Sequence, residues 1–356
     1  MIQSIIQKLT TGADLEVHEA HDVMKFIMSG QATDSQIAAF LTALHMKGET
    51  PQEIAAFTTV MKQFCHRINP TIKGRLIDTC GTGGDHIKTF NISTTAAFVV
   101  AGANIAVAKH GNRSFTSKSG SADVLECLGV NIHTPIQQIT RIIETEGIGF
   151  LFAPQFHPAM KYAITARQDI GIRSVFNILG PLSNPANANA QLLGVYANHL
   201  VSPLIQALHK LKCHEAMVVH GLDGLDEAST IGKTRLAWLK DNQIHFQEVA
   251  PSDFGLMQTT PSALLGGSPE ANAEISFQIL YEKSRASNPK KDIVLMNAAL
   301  GIIVGGQATR FKEGVKLAQE SLESGRAYKK LKAVIKASKG DPSILEEMEY
   351  RYERLS

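Results

Sequence analysis

At residues 75–85 the chain reads RLIDTCGTGGD, a short apolar segment that runs directly into a glycine-rich loop. Residues 75–79 are typical of a buried β-strand, and a buried helix is predicted next, from 94 to 103. The same order of strand, polar loop and helix recurs downstream, with further strands predicted at 105–108, 149–153, 192–196 and 215–219. Strands that alternate with helices predict an α/β fold whose mostly parallel central sheet is covered by helices on both faces.

Upstream of residue 74 the patterns are helical only. Helices are predicted at about 15–29 and 33–48, and each of them ends at a glycine, the usual residue after a helix end. A third helix begins at Thr50-Pro51-Gln52-Glu53, which has the capping-box pattern with proline at the first helical position. We therefore predict a small helical domain in front of the α/β domain.

The composition narrows the class of protein. The chain has 356 residues, a formal net charge of +2, 44% hydrophobic residues and 19% charged residues. These values are ordinary for a globular protein and argue against one that mainly coats nucleic acid. Its four cysteines form no C-x-x-C pair, so neither a zinc site nor a disulfide framework is predicted. We expect a cytoplasmic protein without a signal peptide or a membrane contact, because no apolar stretch reaches the roughly 20 residues that cross a bilayer.

Polar segments follow four of the predicted strands, at 81–85, 109–114, 154–158 and 220–227. In open α/β sheets the ligand crevice lies at the carboxyl ends of the strands. We therefore expect these segments to meet at one site, although they lie far apart in the sequence.

The glycine loop at 81–85 favours a phosphate site. Its backbone N–H groups can approach a phosphate closely, and the helix start behind it adds a favourable dipole. The loop matches neither a Walker A sequence nor G-x-G-x-x-G, and a tight strand–helix turn is the alternative. The next segment, TFNIST at 89–94, carries three hydroxyls and an amide that either cap the helix or bind magnesium and substrate.

The segment KHGNRS at 109–114 is rich in cations and hydrogen-bond donors, with Ser117, Lys118 and Ser119 close behind it. Three cations lie within about ten residues without an acidic neighbour in this stretch. The pattern favours anion binding over a solvated basic loop, because the segment follows an apolar strand.

Two further features have a functional and an ordinary interpretation. The adjacent carboxylates of Asp226-Glu227 suit magnesium when a phosphate lies nearby, although such a string is more often a surface turn. His157 by itself is more often structural than catalytic. Arg167 lies on a predicted helix, where it is either a surface charge or a two-pronged ligand for a carboxylate.

Taken together, these segments closely resemble the anthranilate phosphoribosyltransferases, which catalyse the second step of tryptophan biosynthesis from chorismate. The matching stretches, in the family's order and at its spacing, are GTGGD with TFNIST, KHGNRS with SKSGSADVLE, FHPAMK with GIRSVFNILGPLSNPA, and VHGLDGLDE. The resemblance covers nearly the whole chain. One departure is HIK at 86–88, where the family usually has a glycine directly after GTGGD.

The resemblance implies a reaction, a cofactor and an assembly. Members transfer the phosphoribosyl group of phosphoribosyl pyrophosphate (PRPP) to anthranilate, giving N-(5-phosphoribosyl)anthranilate and pyrophosphate, with two Mg²⁺ ions per active site. The implied helical domain comprises residues 1–70 with a contribution from about 166–189, and the α/β domain comprises 74–356. Members are typically homodimers through the helical domain, so a second copy is an expected partner and nucleic acid is not.

The resemblance also assigns roles by matching position. The catalytic residues are Lys109, Asn112 and Arg167. The residues expected to hold PRPP are Gly81, Gly84, Asp85, Thr89, Asn91, Ile92, Ser93, Thr94, Lys109, His110, Gly111, Asn112, Arg113, Ser114, Phe115, Thr116, Ser117 and Ser121. Those expected to bind anthranilate or line its route are Gly81, His110, Asn112, His157, Arg167 and Pro181. The metal ligands are Ser93 and Glu227 for one ion, and Asp226 and Glu227 for the other.

Two other functions stay open at this point. A pyrimidine nucleoside phosphorylase has the same fold and breaks a glycosidic bond with inorganic phosphate, but Asp226-Glu227 and the KHGNRS segment favour the transferase. A non-enzymatic relative that binds nucleic acid would need an enlarged basic face, and the net charge of +2 argues against it.

Overall fold

A seven-stranded sheet forms the centre of the larger part of the molecule. The structure is a computed structural model that describes residues 1–85, 87–114, 119–282 and 288–355. The strands are β1 Leu76–Gly81, β2 Ala106–Gly111, β3 Ile148–Phe152, β4 Ala190–Gly194, β5 Glu215–Gly221, β6 Thr234–Lys240 and β7 Gln243–Val249. Their spatial order is β3-β2-β1-β4-β5-β6-β7, in which β1 to β5 are parallel and β6 and β7 are antiparallel. The prediction of a mostly parallel sheet is confirmed.

Helices surround the sheet and precede it. In the described residues they are α1 Ile2–Thr10, α2 Val17–Met28, α3 Asp34–Lys47, α4 Pro51–Gln63, α5 Ile92–Gly102, α6 Ser121–Cys127, α7 Ile136–Glu146, α8 Ala153–Phe156, α9 Lys161–Ile170, α10 Phe176–Leu182, α11 Val201–Lys210, α12 Pro269–Tyr281, α13 Pro289–Val304, α14 Phe311–Glu323, α15 Arg326–Ala337 and α16 Ser343–Leu355. No helix among those residues combines the length and the apolar composition that a membrane span requires.

Local capping signals determine where the N-terminal helices begin. At α3 the hydroxyl of Thr33 accepts from the backbone N–H of Gln36 at 3.3 Å, and the Gln36 side chain accepts from the Thr33 N–H at 3.0 Å. Thr50 and Glu53 form the same reciprocal pair at α4, at 3.2 and 2.8 Å. Each pair satisfies two backbone donors that the first helical turn leaves without intrahelical partners.

Strands β4 and β5 connect two hydrophobic clusters. Leu192 and Met217 lie in a cluster with residues of α5, α12 and α13, whereas Leu193 and Val218 lie in a cluster with residues of α1–α4 and α9–α11. Successive side chains of a strand point to opposite faces, so the two clusters cover the two sides of the sheet. The N-terminal helices share their cluster with α9 and α10, while the domain limits of 1–70 with 166–189 and of 74–356 remain a prediction.

The β6–β7 hairpin adds two strands that were not predicted from the sequence. Asp241 and Asn242 connect them with φ angles of 49° and 62°. Left-handed conformations at both positions are typical of a two-residue type I′ turn. β7 is an edge strand and is mostly exposed, so its sequence lacks the apolar run that identified the buried strands.

Phe57→Ala is expected to lower the free energy of unfolding by about 3–5 kcal/mol, because it removes a large side chain from a close-packed core. Phe57 is fully buried on α4, and its ring meets that of Phe40 edge-on with the centroids 6.0 Å apart. Urea denaturation followed by circular dichroism measures the loss. Tyr350→Ala, at a side chain that is 59% exposed, is the aromatic control and should stay within about 0.5 kcal/mol of the parent. Equal losses in both variants would contradict the prediction.

Candidate active site

The glycine loop is attached to the ends of two neighbouring strands. β1 pairs with β4 so that Gly81 lies opposite Gly194. The N–H of Thr82 donates to the carbonyl of Gly194 at 2.9 Å, and the Thr82 hydroxyl accepts from the N–H of Tyr196 at 3.0 Å. Because β2 and β4 lie on opposite sides of β1, the chain reverses its direction across the sheet at this point, which is where α/β proteins form their ligand crevice.

Two glycines shape the far side of this loop. Gly83 and Gly84 have φ angles of 70° and 88°, a region that glycine adopts without strain. Downstream, the carboxylate of Asp85 accepts from both the N–H and the hydroxyl of Thr89, each at 3.0 Å. The loop therefore folds back onto the segment that leads into α5. His86, the first residue of the departure at 86–88, lies outside the described residues.

The start of α5 has a polar segment that does not cap the helix. Asn91 occupies the N-cap position without a side-chain capping bond. Its amide oxygen instead accepts from the hydroxyl of Ser119 at 3.2 Å and from the amide of Asn272 at 3.0 Å. The side chain of Asn91 thus connects three separate segments around the helix start, while the N–H of Ser93 in the first turn donates to Oε1 of Glu227 at 3.1 Å.

Lys109, at the end of β2, is a buried cation. Only 4% of it is exposed, and its ammonium donates to the carbonyl of Thr79 at 2.6 Å and lies 3.4 Å from the hydroxyl of Ser93. Burial lowers the pKa of Lys109, while the nearby Asp78 carboxylate raises it. A cation with so little hydration interacts strongly with any anion that enters the site.

Asp226 and Glu227, which follow β5, are acidic groups with little compensating charge. Glu227 is only 8% exposed, and its Oε1 accepts from the N–H of Ser93 at 3.1 Å. Burial, together with the neighbouring Asp85, raises the pKa of Asp226 to about 6. Burial and the adjacent Asp226 raise the pKa of Glu227 well above its usual range. Two adjacent buried carboxyl groups with raised pKa values are a favourable site for a cation, because a cation stabilises their ionised forms.

The donor set fits magnesium that is only partly bound by protein. No cluster of three or more His, Cys, Asp or Glu side chains suited to a metal occurs in the described part of the chain. Asp226, Glu227 and the hydroxyl of Ser93 form a smaller oxygen set. Mg²⁺ commonly uses one or two carboxylates and completes its octahedral shell with water and phosphate oxygens. The residues present therefore suit a magnesium ion that also contacts a phosphorylated substrate.

The second loop is held by an acidic residue on α6. The carboxylate of Asp123 accepts from the N–H groups of Ser114 and Gly120, at 3.1 and 2.9 Å, and from the guanidinium of Arg113 at 2.9 Å. Arg113 also contacts Glu126. The sequence interpretation of a cation-rich loop without acidic partners was wrong for Arg113, because α6 brings two carboxylates to it. Phe115, Thr116, Ser117 and Lys118 lie outside the described residues.

These segments enclose one cavity of about 320 Å³. Every residue predicted to hold PRPP lines it, apart from the three that are not described, and so do both acidic residues predicted to bind metal. Thr82, Gly83, Phe90 and Ser119 also line it and belong to segments predicted to form the site, although no individual role was assigned to them, whereas Cys80, Gly120 and Asn177 were not predicted. Cys80 lies within β1 and Asn177 lies on α10, so neither belongs to a local phosphate or metal motif that the sequence could identify.

A pair of neutral histidines adjoins this cavity. The rings of His110 and His157 lie 5.1 Å apart, and Nδ1 of His110 lies 3.2 Å from the carbonyl of Gly180. Burial lowers the pKa of His110 to about 3 and that of His157 to about 4. Within the described ranges, Nε2 of each ring is buried without a hydrogen-bond partner. Each ring therefore has hydrogen-bonding capacity that the described residues leave unused.

Only three of the six residues predicted to bind anthranilate or line its route face the cavity. Gly81, His110 and Asn112 line it, whereas His157, Arg167 and Pro181 do not. Arg167 lies on α9, with its guanidinium carbon 5.4 Å from the centroid of the Phe176 ring. Burial lowers the pKa of this arginine. Phe176 and Pro181 both belong to α10, so this helix connects Arg167 with the histidine pair.

Asp78 is a site-forming residue that was not predicted. It is fully buried in β1, and its carboxylate accepts from the N–H of His110 at 3.3 Å and from the amide of Asn184 at 2.7 Å. Burial raises its pKa to about 6, against the opposing effect of Lys109. The signal was present in the sequence, since a carboxylate inside an apolar strand requires buried partners.

Comparison with known proteins identifies the relatives of this chain. Residues 73–328 match the model of the glycosyl transferase family, a/b domain, and residues 3–65 match its helical bundle domain. The anthranilate phosphoribosyltransferase of Methanocorpusculum labreanum is 50% identical over 340 residues, which cover 96% of this chain and 99% of the relative.

Solved structures agree with these matches. An anthranilate phosphoribosyltransferase from Thermus thermophilus superposes with a TM-score of 0.88 at 39% identity, covering 94% of this chain and 99% of that one. The enzyme from Saccharomyces cerevisiae in complex with PRPP and Mg has a TM-score of 0.86 at 30% identity, with 95% and 98% coverage. The chain belongs to the anthranilate phosphoribosyltransferase family.

Proposed function

We propose that this protein transfers the phosphoribosyl group of PRPP to the amine of anthranilate, the second step of tryptophan biosynthesis. The observation that carries the proposal is the 320 Å³ cavity, in which the glycine loop, the start of α5, Lys109 and the Asp226-Glu227 pair face one another. The yeast relative in complex with PRPP and Mg supports the same ligands here.

The phosphate groups of PRPP are bound by backbone donors and by one buried cation. We assign the phosphates to the glycine loop and to the start of α5, since a glycine-rich turn beside a helix N-terminus favours an anion. Lys109 adds a full positive charge beside Ser93. Such groups are already oriented before the substrate binds, so they need little rearrangement as the charge on the leaving group changes.

Ser93, Asp226 and Glu227 are the proposed ligands of two magnesium ions. When bound, Mg²⁺ supplies positive charge to the oxygens of the leaving pyrophosphate. The two acidic groups would then be ionised, since a cation replaces the lost hydration that raises their pKa values.

Anthranilate is positioned on the side of the cavity that adjoins α10. We assign its carboxylate to Arg167 and its orientation near the ribose to Asn112, while His110, His157 and Pro181 line the route. The two histidines are uncharged according to their lowered pKa values, so they offer polarity to the aromatic amine without attracting a second anion.

The chemical step is one displacement at the ribose. The amine nitrogen forms a bond to C1 as the bond between C1 and the pyrophosphate oxygen breaks, the bonding pair leaves with pyrophosphate, and the amine releases one proton to the leaving pyrophosphate or to water. An aromatic amine needs little deprotonation before attack, so the residues contribute chiefly by positioning both substrates and by stabilising negative charge on the leaving group.

A homodimer through the helical domain is the proposed assembly. Val17, Met46, Tyr162 and Ile164 lie on or beside the helices that form the N-terminal cluster, and all four are exposed. Large exposed apolar patches mark interfaces, and these four side chains are candidates for one. We further propose a cytoplasmic enzyme that contacts neither nucleic acid nor membrane. The phosphorylase and the nucleic-acid-binding alternatives are not favoured, since the relatives named above are anthranilate phosphoribosyltransferases.

Loss of anthranilate fluorescence in the presence of PRPP and magnesium tests the proposed reaction directly. Turnover of thymidine with phosphate, without any turnover of PRPP, would favour the phosphorylase instead. Salt-sensitive binding of single-stranded DNA without turnover would favour the nucleic-acid-binding relative.

Arg167→Ala is expected to raise the KM for anthranilate about 10- to 100-fold, because it removes a charge-assisted contact worth roughly 1.5–3 kcal/mol. The KM for PRPP should change less than about threefold, since the assigned contact is to the other substrate. Steady-state kinetics with each substrate varied in turn measure both values. Arg141→Ala, at an exposed position on α7, is the matched control. Equal increases in both KM values would refute the assignment.

Asp226→Asn combined with Glu227→Gln is expected to abolish turnover at every magnesium concentration, because amides of nearly the same shape cannot replace the two negative charges. Stopped assays across a magnesium titration measure the residual rate. Glu346→Gln with Glu347→Gln changes an exposed acidic pair on α16 and should leave the rate unchanged. A double variant with normal rates at high magnesium would place the metal site elsewhere.

A further inference from the structure

Arg173 lies between the helical part of the molecule and the glycine loop. It belongs to the segment that joins α9 to α10 and is half-buried. Its guanidinium carbon lies 3.9 Å from the centroid of the Tyr196 ring, and its Nη2 donates to the carbonyl of Gly84 at 3.0 Å. A guanidinium stacked on an aromatic face is restricted in orientation, so this donor is held in a defined direction.

Tyr196 supports the glycine loop in two ways. Its backbone N–H donates to the hydroxyl of Thr82 at 3.0 Å, which fixes the near side of the loop. The guanidinium of Arg173 stacks on its ring and donates to the carbonyl of Gly84, which fixes the far side of the loop. One residue directly after β4 therefore contacts both sides of the turn, once through its backbone and once through a stacked cation.

Gly84 is shaped to receive this arginine. Its φ angle of +88° disfavours any residue with a side chain, and a Cβ built on it would lie 2.5 Å from Nη2 of Arg173. The bond therefore depends on the absence of a side chain at this position. A charge at Arg173 also acts on Asp226, whose pKa it lowers against the stronger effect of burial.

The bond between Arg173 and Gly84 orients a peptide group that faces the cavity. In a trans peptide the carbonyl of Gly84 and the N–H of Asp85 point in opposite directions. Gly84 and Asp85 line the 320 Å³ cavity and Arg173 does not. The bond holds the Gly84 carbonyl toward Arg173, so the N–H of Asp85 points away from Arg173.

We infer that Arg173, stacked on Tyr196, is a positioning residue that presets the Gly84–Asp85 peptide for the pyrophosphate of PRPP. This inference rests on the proposed function. It assigns to Arg173 an effect on PRPP alone, distinct from the anthranilate contact assigned to Arg167.

Four variants test the inference. Arg173→Gln removes the cation, and Tyr196→Leu removes the ring that supports it. Both should raise the dissociation constant and the KM for PRPP about 10- to 100-fold, the range for loss of one charge-assisted hydrogen bond, with the KM for anthranilate changed less than about threefold. Arg173→Lys keeps the charge and should fall between the parent and Arg173→Gln, whereas Tyr196→Phe keeps the ring and should stay within about threefold of the parent.

The effects of Arg173→Gln and Tyr196→Leu on PRPP binding should also be non-additive. Because both substitutions act on the same bond, the variant that combines Arg173→Gln with Tyr196→Leu should bind PRPP about as weakly as either alone. Calorimetric titration of PRPP with magnesium gives the dissociation constants, and thermal denaturation identifies any variant that has lost its fold. Arg351→Ala, at an arginine on α16 that is 55% exposed, is the control and should bind PRPP like the parent.

Several results would overturn the inference. Unchanged PRPP binding in Arg173→Gln would do so, and so would equal increases in the KM values of both substrates. A weak effect of Tyr196→Leu beside a strong effect of Arg173→Gln would mean that the arginine binds the phosphate itself. A parent protein that binds PRPP but does not consume anthranilate would contradict the proposed function, while the binding series would still decide the role of Arg173.

Discussion

The parallel pairing of β1 with β4, which ends with Gly81 opposite Gly194, is the constraint on which the site depends. A Cβ on Gly194 would lie 1.7 Å from the backbone oxygen of Asp226, and one on Gly81 would lie 3.0 Å from the Asp226 carboxylate. The loop after β5 can therefore cross the ends of these strands only because both positions lack side chains. That crossing brings the acidic pair to the phosphate loop, although about 140 residues separate them in the chain.

Burial then changes the pKa values of the charged side chains at the cavity. Asp78 is fully buried and does not line the cavity, while Lys109, Asp226 and Glu227 do. Little water reaches them, so each charge depends on its neighbours, and the acidic groups have raised pKa values. A near-neutral chain can in this way contain a strongly polar cavity that is suited to a highly charged substrate and its metal.

The sheet also connects the N-terminal helices to the α/β part of the molecule. Alternate side chains of β4 and β5 contribute to different hydrophobic clusters, one of which contains the N-terminal helices. The segment between α9 and α10 extends from that cluster, and its arginine contacts the glycine loop. The polypeptide that carries Arg167 thus also carries a contact to the phosphate side of the cavity.

The sequence alone determined the alternation of helices and strands, the five buried strands and the polar loops that follow them, since hydrophobic periodicity and helix capping are local properties. The segments it predicted also contain most of the described residues that line the cavity. Only the tertiary structure decided what these loops contact. It added the β6–β7 hairpin, whose second strand is mostly exposed, paired Arg113 with acidic groups of α6 and placed Arg167 outside the cavity wall. These features depend on strand order and on contacts between distant segments, for which a single sequence carries no local signal.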